Sequence, residues 1–292
     1  MGEQAVGVLG CGTMGSGIVQ VAAGAGHSAI VFEVDQSALE AGLGRIERSL
    51  AEGVRRGKLD EQEGAAIRGR IRGTTSWADL RPCQVVVEAI VENLAAKQEA
   101  MRALSDVLEP DALVATNTSC LSVTEIASSY RHPERVVGLH FFNPAQVMKL
   151  VEVVRAVETT DEAFEQAYEF ARGIGKEPIR TKDSPGFLVN RLLIPYMNQV
   201  MQAYDDGLSS RDELDAAVEL GLGYPMGPLK LGDLVGLDVA LHAAEALYAD
   251  TRQEEFAPPP LLRRMVKAGR LGRKTGRGFY DYAPTSSTVA EQ

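Results

Sequence analysis

The stretch Val8-Leu9-Gly10-Cys11-Gly12-Thr13-Met14-Gly15-Ser16-Gly17 decides the fold, because it follows a short apolar run and opens a helical pattern. Gly10 permits a tight turn, Gly12 lets the backbone approach a phosphate, and Gly15 allows a helix to pack closely on a strand. The helix that begins there offers unpaired N–H groups and a favourable dipole to an anion. A glycine-rich turn by itself is a weak signal. Here the context that a dinucleotide fingerprint needs is present: apolar Val6, Val8 and Leu9 before it, a helix from Met14 to Ala25 after it, and a second strand ending in acid. That strand reads Ala29-Ile30-Val31-Phe32-Glu33-Val34-Asp35, and a carboxylate at its end would accept hydrogen bonds from the adenosine ribose hydroxyls. Glu33 and Asp35 share strand parity, so pleat direction does not choose between them. No Arg or Lys stands at Val34, Gln36 or Ser37 to hold a 2'-phosphate, which favours NAD over NADP.

Working outward, 292 residues of which 45% are hydrophobic and 24% charged can bury a full core in one large or two smaller domains. A net charge of −10 argues against general affinity for nucleic acid or an anionic membrane. No apolar run reaches membrane-spanning length, and the N-terminus lacks a signal-peptide layout, so a cytoplasmic protein is expected. Cys11, Cys83 and Cys120 have no metal-like spacing and read as reduced thiols acting as small buried hydrophobes; no metal site is expected.

Up to about Thr181 strand-like runs alternate with helical patterns: Val6 to Leu9, Ala29 to Val34, Val85 to Ile90, Leu113 to Thr116, Val136 to His140 and Leu150 to Val154. Such alternation implies a doubly wound, mostly parallel sheet with helices on both faces, a Rossmann-like α/β domain over residues 1–183. Residues 43–72 are helical in composition and too long for one crossover, which predicts a helical hairpin projecting from the sheet. Between Arg45 and Arg72 it carries eight basic residues against five acids, a local +3 on an acidic chain. After Lys182 the turn Asp183-Ser184-Pro185-Gly186 opens a stretch without strand-like alternation, so a smaller all-α domain is expected over 184–292. Its first helix would place Leu188, Leu192, Tyr196, Val200 and Tyr204 on one face and kink at Pro195. Apolar helices of this richness suggest a homodimer through that domain, and Ser286 to Gln292 read as a loose tail.

Ligands of open parallel sheets bind at the carboxyl ends of the strands. Polar residues there include Glu33, Glu92, Asn117-Thr118-Ser119 and His140-Phe141-Phe142-Asn143-Pro144. Oxidising an alcohol with NAD requires a base for the hydroxyl proton, and histidine suits that role near neutral pH. Of the four histidines, His27 lies in a turn, His132 in a charged loop and His242 in a helical apolar pattern. His140 alone ends a strand at the expected edge. The alternative reading is a structural histidine bonded to backbone.

These residues resemble the L-3-hydroxyacyl-CoA dehydrogenases, and the resemblance covers nearly the whole chain. It runs through the glycine fingerprint, Val87-Glu88-Ala89-Ile90-Val91-Glu92-Asn93, Asn117-Thr118-Ser119, Gly138-Leu139-His140-Phe141-Phe142-Asn143-Pro144, Met148-Lys149-Leu150-Val151-Glu152-Val153, Asp183-Ser184-Pro185-Gly186-Phe187-Leu188-Val189-Asn190-Arg191, Gly223-Tyr224-Pro225-Met226-Gly227-Pro228 and Lys274-Thr275-Gly276-Arg277-Gly278-Phe279-Tyr280. It implies NAD-dependent, reversible oxidation of a (3S)-3-hydroxyacyl-CoA of short chain, such as 3-hydroxybutyryl-CoA. His140 would be the general base, Glu152 its orienter, Ser119 a donor to the substrate hydroxyl, and Asn190 a group near the thioester carbonyl. Gly10, Gly12, Thr13, Met14, Gly15, Glu33, Ala89, Glu92, Lys97, Ser119, Asn143 and Lys274 would line the cofactor side. For Lys97 and Lys274 the plain alternative is surface lysine.

The resemblance also places Ser49 and Arg56 of the basic hairpin on CoA, with Arg55 and Lys58 near enough to help; a solvated basic face is the alternative. Arg56 stands where relatives often have Lys, and three departures from the family pattern matter: Cys120 for Ser, Glu33 for Asp, and Ala145-Gln146 for Val-Pro. The last lies close to His140 and leaves the acyl group open. Rival readings keep the chemistry on a carrier-protein-bound acyl group or a free sugar or hydroxy acid, or reduce the chain to a non-catalytic NAD-binding protein.

Overall fold

The computed structural model describes residues 4–282, so the stretch Ser286 to Gln292 lies outside the described residues. The chain forms two compact units, Met1–Phe187 and Leu188–Gln292. In the first, strands β1 (Ala5–Leu9), β2 (Ser28–Phe32), β3 (Ile71–Thr74), β4 (Val85–Glu88), β5 (Leu113–Thr116), β6 (Val136–Phe141), β7 (Leu150–Arg155) and β8 (Glu177–Lys182) build one sheet. Its order is β3-β2-β1-β4-β5-β6-β7-β8, and every pairing is parallel except β6 with β7. The order reverses between β1 and β4, which marks the crevice at the strands' carboxyl ends where such sheets bind ligands.

Strand parity explains why both faces are covered. Val6, Val8, Val85, Val87, Leu113 and Ala115 point into one core, while Leu9, Val86 and Val114 point into the other. The first core is closed by helices α1 (Thr13–Gly24), α2 (Gln36–Arg55) and α3 (Glu61–Gly69), joined by Phe164 and Phe170 of a later helix. The second is closed by α4 (Leu94–Ser105) and α5 (Val123–Ala127), and Met101 and Ile126 are fully buried there. Helix α6 (Asp161–Gly173) carries the two phenylalanines and leads into β8.

The helical hairpin is present as α2 and α3, but it begins earlier than residue 43. Asp35 caps α2 by accepting from the Ala38 N–H at 2.8 Å, and Asp60 and Glu63 form a capping box on α3. Residues 71 and 72 belong to β3 rather than to the hairpin. Strands β3 and β8 go beyond the sequence reading. Both are edges, and Glu177-Pro178-Ile179-Arg180-Thr181-Lys182 is charged and largely open to solvent, so it lacks the apolar run of the central strands.

The second unit is helical, with α7 (Val189–Asp205), α8 (Arg211–Leu222), α9 (Pro228–Val235), α10 (Leu237–Thr251) and α11 (Pro260–Lys267) around Met197, Met201, Leu229, Leu237, Leu262 and Phe279. Pro195 sits inside α7, whose buried face is Ile194, Met197, Asn198 and Met201. The expected stripe is therefore offset: Tyr196, Val200 and Tyr204 pack at the core's margin, while Leu188 and Leu192 are exposed. Two fully buried carboxylates organise this unit. Asp215 accepts from the N–H groups of Leu229 and Lys230 and from the Tyr280 hydroxyl; Asp233 accepts from the N–H groups of Phe279 and Tyr280 and from the Tyr282 hydroxyl. A Cβ at Gly278 would fall 1.9 Å from Asp233, so that motif glycine makes room for a buried acid.

Candidate active site

The glycine turn is built as its sequence demands. Gly10 has φ +87°, its N–H donates to the Phe32 carbonyl at 2.8 Å, and a Cβ there would strike the Ala89 carbonyl. Gly15 faces the Gly10 carbonyl so closely that any side chain is excluded, whereas the space beside Gly12 is open. No side chain caps α1, so the N–H groups of its first turn, at Thr13 and Met14, remain available to an anion. These are the conditions a pyrophosphate needs.

Glu33 reaches back to this turn. Its Oε1 accepts the Cys11 N–H at 2.6 Å, which fixes a carboxylate between the end of β2 and the glycine loop. Asp35, the other acid left open by parity, spends its carboxylate on capping α2. Burial pushes the Cys11 thiol up to about 11 and the Cys83 and Cys120 thiols to about 12, so none is a thiolate at neutral pH.

Along the same edge, a network of acids anchors the loop after β5. Glu92 Oε1 accepts from the Thr118 hydroxyl at 2.6 Å and from the N–H groups of Ser119 and Cys120 at 2.8 and 3.1 Å. Burial would raise the Glu92 carboxyl, but the Lys97 ammonium and these three donors outweigh it and hold the group below its ordinary range. Lys97 is not a surface lysine: it is 1% exposed and lies 2.6 Å from Glu88 Oε1 and 3.4 Å from Glu92 Oε2. Glu88, fully buried at the end of β4, also accepts from the Thr116 hydroxyl and the Ile90 N–H. The sequence reading missed Glu88. An acid closing Val85-Val86-Val87 was the available sign, but a strand-to-helix spacing of nine has no period that would pair it with Lys97.

His140 and Glu152 face each other because the antiparallel register of β6 and β7 sets them directly opposite. Nδ1 of His140 lies 2.6 Å from Oε2 of Glu152, with the acid fully buried and the ring 5% exposed. A carboxylate accepts, so Nδ1 carries a proton, and in the neutral ring this leaves the lone pair on Nε2, the tautomer a general base requires. Phe142 and Phe187 flank the ring at centroid distances of 4.6 and 5.6 Å. Asn117 ties β5 to β6 by accepting the Phe141 N–H at 2.9 Å.

The CoA candidates lie on α2 and the turn that follows it. Ser49 Oγ is 3.5 Å from Gln146 Nε2, which joins α2 to the loop after His140. Arg55 and Arg56 are both exposed and both paired with Glu52. Asn143 is exposed in the loop after β6. Asn190 and Lys274 belong to the second unit, Asn190 in the first turn of α7 and Lys274 against Asp238 at 2.6 Å. Among the described residues there is no cluster able to hold a metal ion and no helix long and apolar enough to cross a membrane.

A doubly wound sheet with a glycine turn at its switch point, an acid at the end of β2 and a histidine–carboxylate pair on the same edge defines an NAD-dependent oxidoreductase. The chain matches the family description "3-hydroxyacyl-CoA dehydrogenase, NAD binding domain" over residues 5–184 and "3-hydroxyacyl-CoA dehydrogenase, C-terminal domain" over 186–282. It is 43% identical over 275 residues to a 3-hydroxybutyryl-CoA dehydrogenase of Clostridioides difficile, covering 94% of this chain and 98% of that one. Its structure is similar to that of M. tuberculosis FadB2, with TM-score 0.94 and 44% identity over 97% of this chain and all of that one. The (S)-3-hydroxybutyryl-CoA dehydrogenase PaaH1 of Ralstonia eutropha gives TM-score 0.92 and 38% identity, again over 97% of this chain and 100% of the other. The chain belongs to the 3-hydroxyacyl-CoA dehydrogenase family, and its cofactor is NAD.

Proposed function

We propose that the protein oxidises the 3-hydroxyl of a short-chain (3S)-3-hydroxyacyl-CoA, such as 3-hydroxybutyryl-CoA, to the 3-oxo thioester, reversibly. The observation that carries this reading is the buried 2.6 Å His140–Glu152 contact on the edge that also bears the glycine turn. Nε2 of His140 takes the hydroxyl proton as the alcohol is oxidised, and Glu152 stabilises the imidazolium that results. The first turn of α1 and Glu33 would hold the pyrophosphate and ribose of NAD, which when bound would supply the hydride acceptor. Ser119, fixed through its N–H by Glu92, orients the substrate hydroxyl, and Asn190 is assigned the thioester carbonyl. Lys97, Asn143, Ala89 and Lys274 are assigned to the cofactor. In the reverse direction the protonated ring returns its proton to the forming alkoxide.

Arg56 and Ser49, with Arg55 and Lys58 nearby, are assigned to CoA, since the cluster Arg55, Arg56 and Lys58 at the end of α2, within a chain of net −10, suits its phosphates. Residues 1–183 form the NAD-binding domain in this reading, and 184–292 the substrate and dimerisation domain of a cytoplasmic homodimer. Support for the dimer comes from Leu192, Leu208, Leu220, Leu222 and Val239 of the second unit, all at least half exposed in the single chain. Light scattering on the purified protein checks the mass. The function itself is tested by NADH formation with (3S)-3-hydroxybutyryl-CoA, its (3R) epimer, the same acyl group on an acyl carrier protein, and the free acid. Turnover should be greatest on the (3S)-CoA ester, and preference for the carrier protein or free acid would replace this reading.

A further inference from the structure

The turn between α6 and β8 contributes a side chain that nothing above uses. Gly175, at φ +77°, reverses the chain out of α6, and the Lys176 N–H donates to the Ala171 carbonyl at 3.0 Å, so the position of Lys176 is set by backbone. Its side chain then runs inward until the residue is only 8% exposed. There Nζ donates to the Ala145 carbonyl at 2.5 Å and to the Met148 carbonyl at 2.8 Å.

Those two carbonyls belong to residues 142–149, the loop that connects β6 to β7 and hence His140 to Glu152. Phe142, which packs on the His140 ring, opens it, and Leu150, two residues before Glu152, follows it. Within the loop the Pro144 carbonyl accepts from the N–H groups of Val147 and Met148, both at 2.9 Å, forming a compact turn. Ala145 is 1% exposed, so its carbonyl has little access to water and depends on a protein donor. The Glu177 N–H, next along the chain, bonds the Lys149 carbonyl at 2.9 Å and continues the same anchorage into the sheet.

We propose that Lys176 is a positioning residue: its ammonium clamps the loop through Ala145 and Met148 and so holds the His140–Glu152 pair, with Phe142 behind it, in the geometry of proton transfer. The inference rests on the base assignment made under Proposed function. An ammonium suits the role because one atom carries three donors and meets two carbonyls whose positions fix the loop in two places. Loss of the clamp lets the loop shift, and displacement of a catalytic base by about 1 Å costs on the order of 100-fold in rate.

The test compares Lys176→Met and Lys176→Arg with the parent enzyme in NAD-dependent oxidation of (3S)-3-hydroxybutyryl-CoA. For Lys176→Met, kcat should fall about 10- to 100-fold while KM and the NAD dissociation constant stay within about threefold. Lys176→Arg, which retains a cationic donor, should return kcat to within about fivefold of the parent. A Lys176→Met enzyme within twofold of parental kcat overturns the proposal. So does a loss in which kcat, KM and NAD affinity deteriorate together, or loss of cooperative thermal unfolding in both variants, since each assigns Lys176 to the fold at large. His140→Gln is measured alongside. Should it stay active, the base assignment fails whatever Lys176 does; should it be inactive while Lys176→Met turns over at the parental rate, the clamp alone is wrong.

Discussion

The His140–Glu152 pair and the Glu52–Arg56 pair each set a carboxylate against a nitrogen donor, yet their surroundings are opposite. The first is buried, set by strand register and backed by aromatic rings, so its geometry survives without a ligand. The second lies on the solvent side of α2 and its C-terminal cap, where Glu52 holds Arg55 and Arg56 together and solvent screens all three charges. Chemistry needs a group fixed before substrate arrives; recognition of a large charged carrier needs cations that can leave one partner for another. In the proposed reading the sheet supplies the former and the solvent side of the hairpin the latter.

The largest effects should come from breaking the buried pair. His140→Gln should lower kcat by about 10²–10⁴, because an amide cannot accept the proton, with NAD affinity and thermal unfolding unchanged. Glu152→Gln should cost about 10- to 100-fold, since the ring keeps a neutral neighbour but loses the charge that stabilises imidazolium. Equal kcat in either variant and the parent would mean the pair is structural. Next comes the cofactor: Glu33, tied to Cys11 at the end of β2, should repel a 2'-phosphate, so kcat/KM should favour NAD over NADP by more than about tenfold. Glu33→Ala should narrow that preference, whereas Asp35→Ala should act through α2 stability; the reverse pattern would move the ribose contact to Asp35.

On the exposed side, Arg56→Ala should raise KM for a hydroxyacyl-CoA about three- to tenfold with little change in kcat, and the difference should shrink at high salt. Because Glu52 competes for the same guanidinium, Glu52→Gln should lower KM. A pantetheine thioester, lacking the nucleotide phosphates, should respond to neither change. The smallest effect concerns the loop anchor. Glu92 is held ionised below the ordinary 4.5, so its stabilisation is complete above that pH and is lost as the pH falls through the folded value. Glu92→Gln should therefore be less stable than the parent by about 1 kcal/mol at pH 7, with the gap closing in acid denaturation curves as the pH falls below the ordinary 4.5.

The same contrast governs what the sequence could disclose. Residues of the central strands and of the glycine turn are legible because burial on both faces and a sharp turn each leave a pattern in the chain. His140 stands out as a candidate for a related reason, since it is a titratable residue closing an apolar strand. Strands β3 and β8 escape because an edge strand need not be apolar. Glu88 and Lys176 escape because their partners are fixed only by tertiary structure: a carboxylate meets an ammonium nine residues away, and an ammonium meets carbonyls about thirty residues back. In α7 the spacing-of-four stripe is real, but a helix apolar on several sides does not declare which side is buried. Arg56 is visible as charge, and charge alone does not separate a binding arm from a solvated face.

In the proposed reading, catalysis and carrier recognition reside in separate parts of the first unit. A double-variant cycle of Glu152→Gln and Arg56→Ala, read as kcat/KM on (3S)-3-hydroxybutyryl-CoA with NAD, tests it most directly. The two losses should multiply to within about twofold, the kcat loss belonging to the first and the KM rise to the second, as expected for sites without shared partners. A double variant no worse than Glu152→Gln alone, or a deviation beyond about tenfold, would contradict the separation.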